Sequence, residues 1–487
     1  MRRFAMQGLM RTLLFMAVWY ACLAAAPGLA FAQDAPPVAD VPEIEDAERM
    51  FEDALEAFEQ GEYALAGRLF GVVRSAYDLH RKTTAALLME AKALYREGRF
   101  EEVMEHADLL ESEFPSSGYV DAARRLREMA EEGLERDIPL PRDLGILLPL
   151  DGNDAPLSQA LFTGVRIAVD EHNAQHPDRP VRMIFRNTGV DSVRATGAVE
   201  EIALLGVQAI IGPLYSSEAV ASAGAAERAG VVLVAPLATD ERVSGGKRYV
   251  FQANPTIVMR GRLMARFAAR SLRLDDFGVI AERDRDGISE RMAQGFLEEA
   301  VLEGRTVRYD TLLASQTAWS RLSETLPRDT ILSASAVYMP IVSGESVARI
   351  DAAMGSFESM GLGERIRVLG NGDWRLAPNT MRASRYATTY ADDFYVDGDD
   401  PALQAFAARY RELSDAEPEG RLAITGYDVA RFLLPLLVDD SEEALADRVR
   451  AAPLREGLGT RIDFEGGNVN AAMFWFRYQD GMVRRLR

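Results

Sequence analysis

From Leu144 to Phe251 the chain alternates between short, nearly unbroken apolar runs and longer stretches with helical spacing. LGILLPL (144–150), VRMIFRN (181–187), AIIG (209–212) and VVLVAP (231–236) read as strands buried on both faces. The first leads into a helix near Ser158 and the second into one near Ser192. The third opens into PLYSSEAVASA and the fourth into LATDE. Such alternation builds an open parallel sheet. It continues with YVFQ (249–252), a helix to about 272, DFGVIAE (276–282), a helix over 288–303, and then RTVRYDTLL, AVYMP and IRVLGNG. Late helices are predicted over about 401–414 and 424–437. RIDFEGGNV and AAMFWFRYQDG read as closing strands joined by a Gly/Asn turn.

Residues 43–135 follow a different pattern, helical throughout with almost no β-branched runs. AFEQGEYALAGRLF places Gly61, Tyr63, Ala66 and Phe70 at the spacings that LYREGRFEEVMEHA gives Gly98, Phe100, Val103 and Ala107. The offset of about 37 residues is that of paired-helix repeats. EFPSSGYVDAARRL (113–126) closes the second unit and begins a further helix. Pro-containing, aperiodic stretches at 33–42 and 136–143 read as linkers.

The N-terminus reads as a cleaved signal peptide over residues 1–32. Arg2, Arg3 and Arg11 precede the apolar LLFMAVWYACLAAA, and Ala30-Phe31-Ala32 forms an A-x-A site. The only cysteine, Cys22, falls inside this leader and is expected to be discarded with it. Acylation of Cys22 is the alternative, but bulky Trp19 and Tyr20 stand where small residues and a leucine are usual. The mature chain then has no thiol for a disulfide or a cysteine metal site. A formal charge of −20 argues against nucleic acid, which needs basic stripes. An exported, periplasmic protein is expected.

Ligands of open parallel sheets sit beyond the carboxyl ends of the strands, where Ser216, Ser217 and Thr239 fall. Hydroxyls and free N–H groups at a helix start form an anion seat, most simply for a carboxylate. Two sequential α/β halves with later returns of the chain predict two lobes. The crossings are placed near 253–256, 391–398 and 455–461, with a ligand cleft between the lobes.

These motifs resemble two families. Residues 43–135 are similar to tetratricopeptide repeats, particularly divergent ones with an F-P-x-S-x-Y pattern. Residues 144–487 resemble the type I periplasmic solute-binding proteins of the Leu/Ile/Val-binding family. The resemblance rests on ILLPLDGNDAPLSQALFTGVRIAVDEHN, AIIGPLYSSEAVASAGAAERAGVVLVAPLATDERV, DDPALQAFAARYRELSDAEPEGRLAITGYDVARFL and GLGTRIDFEGGNVNAAMFWFRYQDG. It implies an α/β fold of two hinged Rossmann-like lobes behind an all-α domain. Lobe 1 would hold about 144–253 and 397–455, and lobe 2 about 256–391 and 461–487. It also implies that Ser216 and Thr239 grip an amino-acid α-carboxylate, with Ser217 offering backbone N–H. Asp373, in VLGNGDWRL, would take the ligand ammonium, and Trp374 would close over an apolar side chain. One departure stands out: Asp286, in AERDRDGISE, occupies the place of the family's usual aromatic. Its carboxylate would meet a cationic ligand group or cap the next helix.

The implied partners are a small amino-acid-like ligand and an inner-membrane ABC permease, with no cofactor. The domain order also resembles the outer-membrane activators of penicillin-binding proteins, which would make a cell-wall synthase the partner of the repeats. No enzyme is expected. His80, His106, His172 and His176 lack metal spacing, and Ser244-Gly-Gly-Lys247 matches S-x-x-K without its S-D-N and K-T-G companions.

Overall fold

A computed structural model describes residues 41–135, 141–151 and 154–486, apart from 61, 78, 343 and 419. The leader with Cys22, nearly all of the 33–42 linker and most of the 136–143 linker lie outside the described residues.

Five helices come first: α1 (Glu45–Glu59), α2 (Tyr63–Ser75), α3 (Thr83–Arg96), α4 (Phe100–Glu113) and α5 (Val120–Glu135). Their small residues let neighbouring helices approach, as where Ala66 and Phe70 of α2 pack with Ala86 and Ala93 of α3. Val103 and Ala107 of α4 pack with Leu126 and Ala130 of α5 in the same way.

The rest of the chain builds two sheets. The first holds β1 (Arg142–Leu148), β2 (Val181–Asn187), β3 (Ala209–Ile211), β4 (Val232–Ala235) and β5 (Val250–Gln252), in the order β2-β1-β3-β4-β5. All its pairings are parallel. Helices cover both faces, which is why its strands read as continuous apolar runs. α7 (Ser192–Leu204) and α8 (Ser216–Ala229) pack on one face. On the other lie α6 (Ala155–Gln175) and three late helices, α12 (Pro401–Ser414), α13 (Gly420–Leu437) and α14 (Leu445–Ala451).

The second sheet runs β14-β13-β10-β9-β8-β6-β7. Its parallel part is β6 (Asp276–Glu282), β7 (Thr306–Leu313), β8 (Ala336–Met339), β9 (Arg367–Gly370) and β10 (Thr389–Asp392). β13 (Phe474–Gln479) and β14 (Met482–Leu486) add an antiparallel edge. α9 (Ile257–Arg270), α10 (Ile288–Leu302) and α11 (Ser346–Ser359) cover it. In each lobe one helix pair crosses at glycine. A Cβ on Gly164 would lie 1.9 Å from the Ala423 carbonyl oxygen, and one on Gly261 would lie 1.9 Å from that of Met292.

The closing strands differ from the expectation. β12 (Arg461–Ile462) pairs only with β11 (Arg455–Glu456), and the Gly466-Gly467-Asn468 segment is not the hairpin turn. β13 and β14 are joined at Asp480-Gly481, whose φ values of 53° and 76° suit a two-residue hairpin of right-handed twist. The 463–473 stretch is instead tied to the first lobe. Asn468 Nδ2 donates to the Val250 carbonyl at 2.8 Å, and Asn470 Nδ2 to that of Ala253 at 2.8 Å.

The chain passes between the sheets after β5, after β10 and after α14. Asp393, buried at the second passage, receives Arg260 Nη2 at 2.7 Å and is paired with Arg421. The guanidinium of Arg260 is foremost among the charges that hold the Asp393 carboxyl down to about 2 against the cost of burial. At the third passage Asp428 accepts the amides of Leu458, Gly459 and Thr460 at 2.8–2.9 Å.

The five-helix domain rests on the strand-start end of the first sheet. Tyr63 meets Gln208 just before β3, and Arg96 meets the Gly206 carbonyl. Glu59 packs over Gly230, the C-cap of α8. Burial, then repulsion from Glu56 and Glu227, pushes the Glu59 carboxyl up to about 7. A helix C-terminus is also a poor neighbour for an anion. The folded state therefore holds this proton more tightly than the unfolded chain, whose carboxyl titrates near 4.5. Its contribution is full below about pH 4.5 and is lost as pH rises through about 7. Glu59→Gln should match the native protein in melting temperature at pH 4.5 and exceed it at pH 8. Equal melting temperatures at both pH values would contradict this placement.

Candidate functional site

Ser216 and Thr239 are brought together at the strand-end side of the first lobe. β3 ends at Ile211, and the chain turns through Gly212-Pro213-Leu214-Tyr215 before α8 begins at Ser216. The cap residue is Tyr215, which offers no side-chain cap, so the first-turn amides of α8 are not satisfied from that side. Ser216 is therefore a first-turn residue rather than a cap. Its Oγ accepts the backbone N–H of Thr239 at 3.2 Å, which stitches the loop after β3 to the loop after β4. A lone pair makes this bond, so the Ser216 hydroxyl proton stays available to donate. Thr239 is half-exposed, its carbonyl accepts Ile257 N–H at 3.3 Å, and Ser217 is exposed beside it. Neutral donors at a helix N-terminus are chemically suited to an anion without a buried counter-charge.

Two neighbours went unremarked in the sequence. Tyr215 is half-buried, and its phenol is pushed up to about 12, first by burial and then by its bond to Asp154. Glu218 is buried under the first turn of α8, against Thr188 and the Tyr215 amide. Burial raises its carboxyl pKa, which lessens the negative charge beneath the start of α8. An aromatic directly before SSEAV, and an acid at the third helical position, were the available signals.

On the second lobe β9 ends at Gly370, and Asp373 follows in a short 3₁₀ turn over Gly372–Leu376. Asp373 is half-buried and accepts the Ser346 hydroxyl, at the start of α11, at 2.8 Å. Trp374 corrects the expectation that it closes over a ligand. It is 0% exposed, packs in the lobe core, and donates Nε1–H to the Met339 carbonyl at 2.9 Å. A Cβ on Gly370 would come within 2.1 Å of its ring, so that glycine makes room for it. Trp374→Ala should cost about 3–5 kcal/mol of stability in denaturant titration. A loss below about 1 kcal/mol would mean the ring is not in the core.

Asp286 is exposed in the loop after β6 and does not cap the helix behind it. That task falls to Asp284, whose carboxylate accepts the amides of Asp286, Ile288 and Ser289 at 2.8–3.1 Å. Glu241, two residues past Thr239, crosses to the second lobe. It accepts Val258 N–H at 3.0 Å and pairs with Arg291 at 3.3 Å.

The residues weighed for catalysis have structural partners. His80 Nε2 lies 3.0 Å from the Val73 carbonyl oxygen, and His172 Nε2 lies 3.0 Å from that of Arg179. His106 pairs with Glu90. Ser244 is buried and donates to Gln252 Oε1 at 2.7 Å, which leaves S-x-x-K as a turn. Among the described residues no cluster of three or more metal-ligating side chains occurs, and no helix is long and apolar enough to cross a membrane.

Two α/β lobes joined by three passages, with hydroxyls at the strand ends, define a solute-binding architecture. The chain belongs to the periplasmic binding protein family, whose profile matches residues 142–482. This family, and the fold, are those of solute-binding proteins and not of enzymes, and they place the protein outside the cytoplasm. The Leu/Ile/Val-binding protein homolog 8 of Brucella abortus (strain 2308) is 35% identical over 115 residues. That match spans 23% of this chain and 28% of the relative. Among solved structures, a putative branched-chain amino acid ABC transporter protein from Rhodospirillum rubrum superposes with a TM-score of 0.56 at 20% identity, over 71% of this chain and 100% of that one. An ABC transporter substrate-binding protein from Desulfitobacterium hafniense gives 0.50 at 19% identity, with the same coverage. At these identities the likeness is one of fold.

Proposed function

We propose that the protein captures a small carboxylate-bearing ligand, an amino acid or close derivative, between its lobes and delivers it to an ABC permease. The Thr239 N–H to Ser216 Oγ bond carries this reading, because it fixes two hydroxyls beside an uncapped helix start. Ser216 and Thr239 donate to the carboxylate, together with the backbone of Ser217. Asp373 receives the ammonium, and Asp286 takes any further cationic group. The lobe of β6–β10 then folds over the lobe of β1–β5, driven by the ligand's higher affinity for the closed form. The leader at 1–32 exports the chain and is removed, and the tetratricopeptide-like helices ride on the first lobe. The Brucella relative's name and the Rhodospirillum protein's description support the same ligand class.

A thermal-shift panel of free amino acids tests this. A ligand at a hundred times its Kd stabilises the folded state by about 2.7 kcal/mol, a clear rise in melting temperature. One or a few amino acids should give it. A flat panel would sink the reading and favour the activator-like role, in which the cleft is empty and the helices make the productive contact.

A further inference from the structure

A large cavity lies away from the inter-lobe cleft. It is a groove of about 1220 Å³ at the opposite end of the first lobe, between the five-helix domain and the strand-start face of the sheet. One wall comes from α1, α3 and Tyr119, and the other from the loops before β3, β4 and β5 and from residues 439–446. Its volume exceeds the roughly 300–1,000 Å³ of an ordinary small-molecule pocket. Apolar side chains, Leu55, Met89 and Tyr249 among them, line it together with polar ones.

Charge decides what fits. The cations of the wall are spent on neighbours: Arg81 on Glu43 and Glu48, Lys82 on Glu48, Arg142 on Asp440, Arg228 on Glu200, Arg248 on Asp447 and Arg448 on Asp439. Glu59, Glu62, Glu442 and Glu443 also line the groove, and none makes an ion pair with any described residue. Glu59 is the most constrained of them, because its carboxylate is pressed onto the C-cap Gly230 with Glu56 and Glu227 close by. A cation from outside would relieve that repulsion. Apolar side chains and unpaired acids lining one groove together ask for a segment that carries both apolar side chains and positive charges. An extended strand supplies this by alternation.

We propose that this groove docks a short extended segment of a partner protein, carrying lysine or arginine between apolar residues. The site is separate from the cleft and does not depend on what the cleft binds. Because the groove's walls are the helices and the first lobe alone, the second lobe can move without disturbing it.

The test is panning of a random dodecapeptide display library against the full chain at physiological salt, where long-range attraction to an acidic protein is screened. Enriched peptides should carry at least two basic residues among apolar ones. Their binding should weaken about tenfold or more in the Glu62→Lys/Glu443→Lys variant, as expected when close charge pairs become repulsive. Both residues are exposed and unpaired, so the variant should keep the native circular dichroism and melting temperature. Filling the groove with Leu55→Trp should weaken the same peptides, while Ser216→Ala/Thr239→Ala should not. The proposal falls if nothing enriches, if acidic peptides enrich, or if basic peptides bind the charge-reversed variant as well as the native chain. It falls equally if free amino acids displace the peptides, which would place them in the cleft.

Discussion

The Ser216→Ala/Thr239→Ala double variant is expected to lose amino-acid binding. Each hydroxyl gives a carboxylate one hydrogen bond, and bonds to charged groups contribute about 1.5–3 kcal/mol. Removing both should weaken binding by about 3–6 kcal/mol, or roughly two to four powers of ten in Kd. Stability should change far less. Ser216→Ala removes the acceptor of the Thr239 amide, worth about 1 kcal/mol, because that amide is half-exposed and water can replace the oxygen. Thr239→Ala should cost less still. Calorimetric titration with an amino acid from the thermal-shift panel checks the first expectation, and unfolding in urea checks the second. Binding within a factor of about three of the native value would remove both residues from the site.

Asp428→Ala should be the most damaging single change at the lobe junction. Asp428 lies on α13 in the first lobe, with its carboxylate buried. It accepts three consecutive amides, from Leu458, Gly459 and Thr460, and the Thr460 hydroxyl at 3.0 Å. Gly457 is needed beside it, since a Cβ there would come within 2.2 Å of the carboxyl carbon. Alanine would strand three buried donors at about 1–3 kcal/mol each, so a loss of about 3–6 kcal/mol is expected after relaxation. The third passage between lobes would also lose its fixed path, and ligand affinity should fall with stability. Asp428→Asn keeps one acceptor oxygen and should lie between. Chemical unfolding of the three proteins settles the order, and an alanine variant within about 1 kcal/mol of native would show that the passage is held by other contacts.

The sequence made the sheets legible because parallel strands are buried on both faces, and LGILLPL or VVLVAP cannot serve elsewhere. The paired helices of residues 43–135 followed from the repeated spacing of residues such as Ala66 and Val103. The closing turn was misplaced because Gly466-Gly467-Asn468 looks like a stronger turn than Asp480-Gly481. What overrode it was tertiary: Asn468 and Asn470 spend their amides on carbonyls of the first lobe. Trp374 was misplaced for a local reason. In a 3₁₀ turn adjacent side chains point about 120° apart, so Asp373 faces Ser346 while Trp374 faces the core. Ser216 and Thr239 were found by their positions at strand ends. The bond between them was not, because a serine at a helix start looks the same whether it caps its own helix or holds a neighbouring loop. The docking of the five helices onto the first lobe left no periodic trace, since it uses the isolated positions Tyr63, Arg96, Gly206 and Gly230.

Closure over a ligand can be watched directly. Val193 and Val347 are 81% and 45% exposed and stand near the starts of α7 and α11, one on each lobe at the strand-end side. The only cysteine in the sequence is Cys22, so cysteines placed at these two positions in a chain without it can carry spin labels selectively. Pulsed electron resonance should show the label separation shorten when the amino acid that raises the melting temperature is added, and stay at its ligand-free value in Ser216→Ala/Thr239→Ala. A separation that ignores every stabilising amino acid, or that shortens equally in the double variant, would contradict a clamp built on Ser216 and Thr239.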